Sequence, residues 1–247
     1  MTTAILSALP EEQAGLLAAL EQPQRVAHAG RAFWRGALGG KDVVLALSGI
    51  GKVAAATTAT AAIERFGAAR IVFTGVAGGV GDGVHVGDVV VARDYLQHDM
   101  DASPLFARWE LPGYARTLVA CDAHLSALLL EAANDCVTSA AGQFGTQCAA
   151  HGVHHGLVAS GDRFIAAAAE AMHLRSALRN AGHDVLAVEM EGAAVAQVCL
   201  DYGLPFAAVR TISDRADDDA HGDFTLFVRT VASRYTAQIV QALVQKL

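Results

Sequence analysis

Residues 184–217, D-V-L-A-V-E-M-E-G-A-A-V-A-Q-V-C-L-D-Y-G-L-P-F-A-A-V-R-T-I-S-D-R-A-D, set Glu189, Glu191 and Asp214, with Met190, at the junctions of three secondary elements. Val185 to Val188 is a short apolar run of strand type, and Gly192 to Leu200 is a small-residue, helix-permissive stretch that stops at Gly203 and Pro205. Glu189 and Glu191 therefore stand where a strand gives way to a helix. Phe206 to Ile212 reads as a second buried strand that delivers Ser213 and Asp214 just past its carboxyl end, where α/β sheets bind ligands. An acid behind such an apolar run is expected to hold its proton to higher pH, as general-acid work requires. The plain alternative is that Asp214 caps a turn and both glutamates face water.

Working outward, the 247 residues show no Pro/Ser-rich or charge-dense linker, so one α/β domain spanning 1–247 is expected. The net charge of −7 comes without a basic block, which speaks against nucleic acid or an anionic membrane as partner and for a small neutral or cationic ligand. No apolar run approaches the roughly 20 residues that span a bilayer. The start, M-T-T-A-I-L-S-A-L-P-E-E, lacks the basic region of a signal peptide. Cysteines at 121, 136, 148 and 199 make no C-x-x-C pair, which points to a reduced, cytoplasmic protein.

Ala4 to Leu9 is an apolar strand broken by Pro10, and Glu11 and Glu12 open the following helix. Acids in a first helical turn are favoured by the macrodipole, which explains both glutamates without function, yet one of them can also point into a pocket at the strand's end. Arg31 to Ala37 and Asp42 to Leu47 form a predicted hairpin around Gly39 and Gly40. S-G-I-G-K, Ser48 to Lys52, leads into an Ala-rich helix from Val53 to Arg65; it is a glycine turn able to present N–H groups but is not a Walker loop. Arg70 to Thr74 is the next buried strand, and G-V-A-G-G-V-G-D-G follows over 75–83. Because this segment runs into another strand, Gly87 to Ala92 and on to Leu96, it is no dinucleotide fingerprint; it is expected to be a loop forming a floor close to a flat ligand.

His98, Asp99 and Asp101, and likewise His151, His154 and His155, invite a metal reading, but neither cluster has a second ligand set at a recognised spacing, so solvated loop polarity is expected and no metal is assigned. Residues 101–120 are weakly patterned and aromatic, as functional or interfacial loops often are. Asp122 caps a predicted helix from His124 to Asn134. Val153 to Ser160 is a further strand, and beyond it Phe164 and Ile165 offer an apolar plane for a base, ahead of an Ala-rich helix carrying Met172 and Leu174. Asp223 to Leu247 reads as one amphipathic helix, and the acidic run 217–219 before it as a solvated loop or a lid.

Taken together, A-L-P-E-E (8–12), L-S-G-I-G-K-V (47–53), T-G-V-A-G (74–78), H-D-M-D (98–101), S-G-D-R-F-I (160–165), V-E-M-E-G-A-A (188–194) and I-S-D-R-A-D (212–217) resemble the 5′-methylthioadenosine/S-adenosylhomocysteine nucleosidases of the purine nucleoside phosphorylase and nucleosidase superfamily. The resemblance covers nearly the whole chain and rests on the order and spacing of the blocks together. It implies a mixed sheet partly closed as a barrel and surrounded by helices, a homodimer, no metal and no cofactor. It implies Glu12 as the base activating water and Asp214, with Ser213 beside it, as the acid at purine N7. Met190 and Glu191 would bind the ribose hydroxyls, Arg210 would support the site, and Val76, Ala77 and Gly78 would lie against the nucleoside. Phe164 and Ile165 would hold adenine. Leu9, Ile50 and Phe224 would line a 5′-alkylthio pocket closed by Leu105, Phe106 and Pro112 of a partner subunit. Two departures stand out. Val76 replaces the hydroxyl residue that many relatives carry, and the segment S-P-L-F-A-R-W-E-L-P (103–112) differs from the best-known bacterial members.

The chemistry needs these residue types on its own account. Adenine departs poorly as an anion, so an acid at N7 speeds the step on the order of 10²–10⁴-fold, while a carboxylate at the ribose and a water on the opposite face deal with the sugar cation. Two other classes compete. A phosphorylase needs a cation near the glycine-rich turn, and Ile71 to Val76 supplies none, since Arg70 sits at the wrong end of the strand. A non-catalytic nucleoside-binding module has no need of Glu12, Glu191 and Asp214 together.

Overall fold

The computed structural model describes residues 1–143, 151–215 and 233–247, with the backbone alone described for 140–143 and 233–234. In chain order the elements are β1 (Thr2–Ser7), α1 (Pro10–Ala18), β2 (Glu21–His28), β3 (Arg31–Leu38), β4 (Lys41–Leu47), α2 (Lys52–Glu64), β5 (Ala68–Gly79), β6 (Val89–Gln97), β7 (Val119–Ala120), α3 (Ala123–Gln143), β8 (Val153–Ser160), α4 (Ala168–Asn180), β9 (Val185–Glu189), α5 (Gly192–Tyr202), β10 (Phe206–Asp214) and α6 (Ser233–Lys246).

The strands form one mixed sheet in the order β10-β6-β8-β9-β5-β1-β4-β3-β2, and an additional pairing of β10 with β5 closes the first five into a barrel. The expected partly closed barrel is therefore present. β10 is the strand that makes closure possible. All nine of its residues are buried, and it runs parallel to β5 from Phe206↔Ile71 to Asp214↔Gly78 and antiparallel to β6 at Val209↔Val91. A strand with neighbours on both edges and helices outside has no solvated face, which is why its sequence is a continuous apolar run rather than an alternation.

Two layers cover the barrel wall. Leu125 and Leu129 of α3 and Tyr235, Ile239 and Leu243 of α6 pack on Val72, Val89, Ala207 and Val209, while the small residues of α2 and α5 let those helices lie close to β5 and β10 on another side. α6 also presents Val240 and Val244 to α1 and to the extension β1-β4-β3. Of the tail stripe expected from Asp223 onward, Tyr235, Ile239 and Leu243 are core; Phe224, Phe227, Val231 and the acidic run 217–219 lie outside the described residues.

Three expectations need correction. The segment 75–83 is not a loop throughout, because β5 continues to Gly79, held by β10 on one edge and by β9 through Gly78↔Val188 on the other. Ser213 and Asp214 are the last residues of β10 rather than the first beyond it. β2 has no counterpart among the expected strands: it is mostly exposed, carries Pro23 at a register shift and pairs only with β3 at the sheet edge. Other boundaries agree within a few residues, and α3 extends past the expected Asn134, with Asp122 Oδ1 accepting the Leu125 N–H at 2.8 Å as its cap.

Candidate active site

Strands β1, β5 and β10 run one way and β6, β8 and β9 the other, and their carboxyl ends meet around the carboxyl-terminal half of β5. Asp214 pairs with Gly78, Gly78 with Val188, and Ser160 with Glu189. A cavity opens there.

Glu12 is fixed first. Located in the first turn of α1, it is 2 % exposed, and its Oε2 accepts the N–H groups of Ala8 at 2.8 Å and Leu9 at 2.9 Å. Its Oε1 accepts the Val76 N–H at 3.0 Å across from β5. The carboxylate that caps the start of α1 is therefore also the one that enters the cavity. Burial pushes its pKa up, against the pull of Arg210 and the three N–H donors. A side chain at Gly75 is excluded here, because a β-carbon would stand 2.6 Å from Arg210 Nη1 and 2.7 Å from Glu12 Oε1. The glycine of T-G-V-A-G answers to neighbouring side chains.

Behind the cavity Arg210 and Glu189 form a buried ion pair with 1 % and 3 % side-chain exposure. The arginine lies 4.1 Å over the Phe73 ring. Glu189 also takes the Ser160 hydroxyl and the N–H of Gly192 at 2.9 Å, at the start of α5. Because Glu189 is already neutralised by Arg210 and saturated with donors, the neighbouring Glu191 is the carboxylate left for a ligand. Glu191 is 5 % exposed, and its Oε1 accepts the Gly51 N–H at 2.9 Å at the N-terminus of α2. Burial, reinforced by the charge of Glu189, raises its pKa to about 8.

Asp214, 2 % exposed, takes the Ser213 hydroxyl at 2.8 Å. It lines the cavity with Glu12, Glu191, Met190 and Ser213. Val76, Ala77 and Gly78 form the floor, and Leu9, Ile50, Phe164 and Ile165 the apolar walls. Ile165 is buried whereas Phe164 is 42 % and Ile50 60 % exposed at the rim. Arg210 stands behind the lining rather than in it. Phe224 lies outside the described residues, and Leu105, Phe106 and Pro112 are not among the described residues that line the cavity of their own chain. Sequence reasoning gives no role to Glu189 and misses Ser160, Ala8, Arg163 and Val188. The V-E-M-E block holds the signal for Glu189, but its assignment depends on Arg210, 21 residues away.

Solvated polarity, expected of both histidine clusters, holds for Asp99, Asp101 and His155, which are exposed, but not for His98. His98 is 7 % exposed, its ring filling the space that a side chain at Gly161 would need. Asp99 pairs with Lys52 at 2.6 Å, and Asp101 accepts the Ser103 N–H at 3.1 Å. His154 Nε2 bonds Asp88 at 2.8 Å, and His151 meets the Tyr235 ring edge-on at 6.2 Å. Among the described residues, no group of three His, Cys, Asp or Glu side chains is placed to hold a metal ion.

A five-stranded barrel with a sheet extension and a cavity of buried carboxylates defines the class, a nucleoside-cleaving α/β enzyme: the family model "Phosphorylase superfamily" matches residues 2–245. The 5′-methylthioadenosine/S-adenosylhomocysteine nucleosidase of Shewanella putrefaciens is 36 % identical over 247 residues, covering all of both chains. The crystal structure of the same-named nucleosidase from Neisseria meningitidis, in complex with methylthio-immucillin-A, superimposes with a TM-score of 0.87 at 35 % identity over 100 % of this chain and 99 % of that one. The futalosine hydrolase of Helicobacter pylori gives a TM-score of 0.86 at 31 % identity, covering 100 % and 98 % of the two chains. The chain belongs to the 5′-methylthioadenosine/S-adenosylhomocysteine nucleosidase family of the phosphorylase superfamily, and it is an N-glycosidic hydrolase.

Proposed function

We propose that the protein hydrolyses the N-glycosidic bond of 5′-methylthioadenosine, S-adenosylhomocysteine or related 5′-substituted adenosines, giving adenine and the thioribose. One observation carries this reading: the cavity joins a floor and walls suited to a flat base with four carboxylates, Glu12, Glu189, Glu191 and Asp214. In the proposed reaction the C1′–N9 electron pair leaves with the purine, whose N7 takes a proton from the Asp214 carboxyl. Glu191 holds the ribose hydroxyls beside Met190 and, once ionised, steadies the sugar cation. Glu12, buried and proton-seeking, takes a proton from the water whose oxygen bonds C1′.

The same lining favours water over phosphate as nucleophile. Arg163 is the single cation among the described lining residues, and its Nε is 3.0 Å from Glu170. A phosphate dianion entering beside Glu12, Glu191 and Asp214, the lining acids that Arg210 does not pair, would lack compensating charge. The test is product analysis, with and without added phosphate, on 5′-methylthioadenosine, S-adenosylhomocysteine, 5′-deoxyadenosine and a futalosine-type nucleoside. The free purine base, adenine from the adenosines, and free sugar are expected under both conditions; ribose 1-phosphate as the main product, formed only with added phosphate, would reverse the assignment.

We further propose a homodimer whose sites are completed across the interface. Leu105 is 83 % exposed and Phe106 37 %, and with Pro112 they sit away from their own cavity, as residues supplied to a partner would. The substrate class suits one catalytic domain over 1–247 working in cytoplasmic methionine salvage without a cofactor, and the charge of −7 without a basic block suits a small neutral or cationic ligand.

A further inference from the structure

The N–H on Glu191 comes from a loop with little apolar anchorage of its own. Ile50 is 60 % exposed, Val53 in the first turn of α2 is 79 % exposed, and Gly49 and Gly51 both have positive φ. Polar contacts hold it instead. The Lys52 N–H donates to Asp162 Oδ1 at 2.7 Å, and Lys52 Nζ reaches Asp99 Oδ1 at 2.6 Å and Gln97 Oε1 at 2.9 Å. The other Asp99 oxygen accepts the Asp162 N–H at 2.8 Å. Gln97 Nε2 continues to Gln197 of α5, the helix that Glu191 precedes, at 2.8 Å.

We propose that Asp99 is a positioning residue for the active site, locking the 48–52 loop to the 161–165 loop so that the Gly51 N–H stays on Glu191 and Ile50, Phe164 and Ile165 stay in one wall. Two features set it apart from a surface ion pair. The lysine side chain is only 16 % exposed although that of Asp99 is 31 % exposed, and both oxygens of Asp99 are engaged, one by each loop. An Asp99 that merely balanced Lys52 would need only one of them. Gly51 is part of the same fit, since a β-carbon there would stand 3.2 Å from Asp162 Oδ1.

The proposal takes its substrate from the nucleosidase reading, so its test has one arm that needs no substrate. Full-length Asp99→Asn, Lys52→Met and the double variant are compared with wild type on whichever nucleoside the wild type cleaves. Each single change is expected to raise KM about 10-fold with kcat within about 3-fold, and the double variant to be no worse than either single one. Amide exchange is followed in parallel, and Lys52→Met is expected to speed exchange in 160–166 as well as in 48–53. Losses in kcat/KM that multiply in the double variant, or exchange in 160–166 that Lys52→Met leaves unchanged, would overturn the coupling. A wild type inactive on every adenosine would sink the substrate assignment alone, and the exchange arm would still decide the clamp.

Discussion

Glu12 Oε1 stands 2.7 Å from the point a β-carbon on Gly75 would occupy, and Arg210 Nη1 stands 2.6 Å from the same point. Neither neighbour can yield freely. Glu12 is pinned by the N–H groups of Ala8, Leu9 and Val76, and Arg210 by its buried pair with Glu189.

Gly75→Ala is therefore expected to displace the Glu12 carboxylate. Overpacking at such a site costs about 1–3 kcal/mol of stability. Activity should suffer more, with kcat/KM down by about 10-fold or more because the base leaves its position. Denaturant unfolding and steady-state kinetics on one preparation check both. An alanine variant with wild-type kcat/KM would show that Glu12 tolerates movement and is not held for chemistry.

Burial and the charge of Glu189 raise Glu191 to about 8 from an ordinary value of 4.5, so the folded protein holds a proton there that the unfolded chain releases. Glu12 is raised in the same direction. For a raised acid, stability is greatest below the unfolded pKa and is lost as pH rises through the folded one. His98, lowered from 6.5 by burial, acts oppositely, but only below pH 6.5. Stability is therefore expected to fall between pH 6.5 and 8 by on the order of 1 kcal/mol, and Glu191→Gln to flatten that slope. Chemical denaturation at the two pH values measures it. An identical slope in wild type and Glu191→Gln would place the titration elsewhere.

The strands that build the barrel are legible in the sequence because β10, β5 and β1 are apolar runs bounded by Gly, Pro and acids. β2 is not, since an exposed edge strand pairing on one side needs no apolar pattern. The strand character of Gly75 to Gly79 is hidden for a different reason. Its glycines look like loop residues, but at Gly75 the side chains of Glu12 and Arg210, and at Gly79 that of Ile212, fill the space a side chain would need. At the site, Glu12, Glu191 and Asp214 can be placed from local blocks. The division of labour between Glu189 and Glu191 cannot, because Arg210 decides it through a long-range pairing. The burial of His98 escapes a local reading in the same way, since it comes from Gly161 on a distant loop.

Phe106→Ala tests the dimeric pocket. Phe106 is 37 % exposed and absent from its own chain's cavity, so on the proposed reading it acts on the 5′ group of a nucleoside bound by the other copy. KM for 5′-methylthioadenosine should rise more than KM for adenosine, by about 10-fold for a lost apolar contact. Equal changes for the two substrates would remove this loop from the 5′ pocket.

Asp214 is the final residue of a wholly buried strand, with the Ser213 hydroxyl on its Oδ2 at 2.8 Å. Asparagine matches its shape, can keep the Ser213 contact and can still hydrogen-bond purine N7, but it has no proton of comparable acidity to transfer. If departure of adenine depends on that proton, Asp214→Asn should lower kcat by about 10² or more, roughly 2.7 kcal/mol of transition-state stabilisation, while ligand binding changes much less. Single-turnover rates with 5′-methylthioadenosine separate the bond-breaking step from product release, and binding of a non-hydrolysable analogue reports whether the pocket is intact. A variant that binds the analogue normally and cleaves within a few-fold of wild type would make Asp214 a positioning residue and leave the purine to depart without its acid.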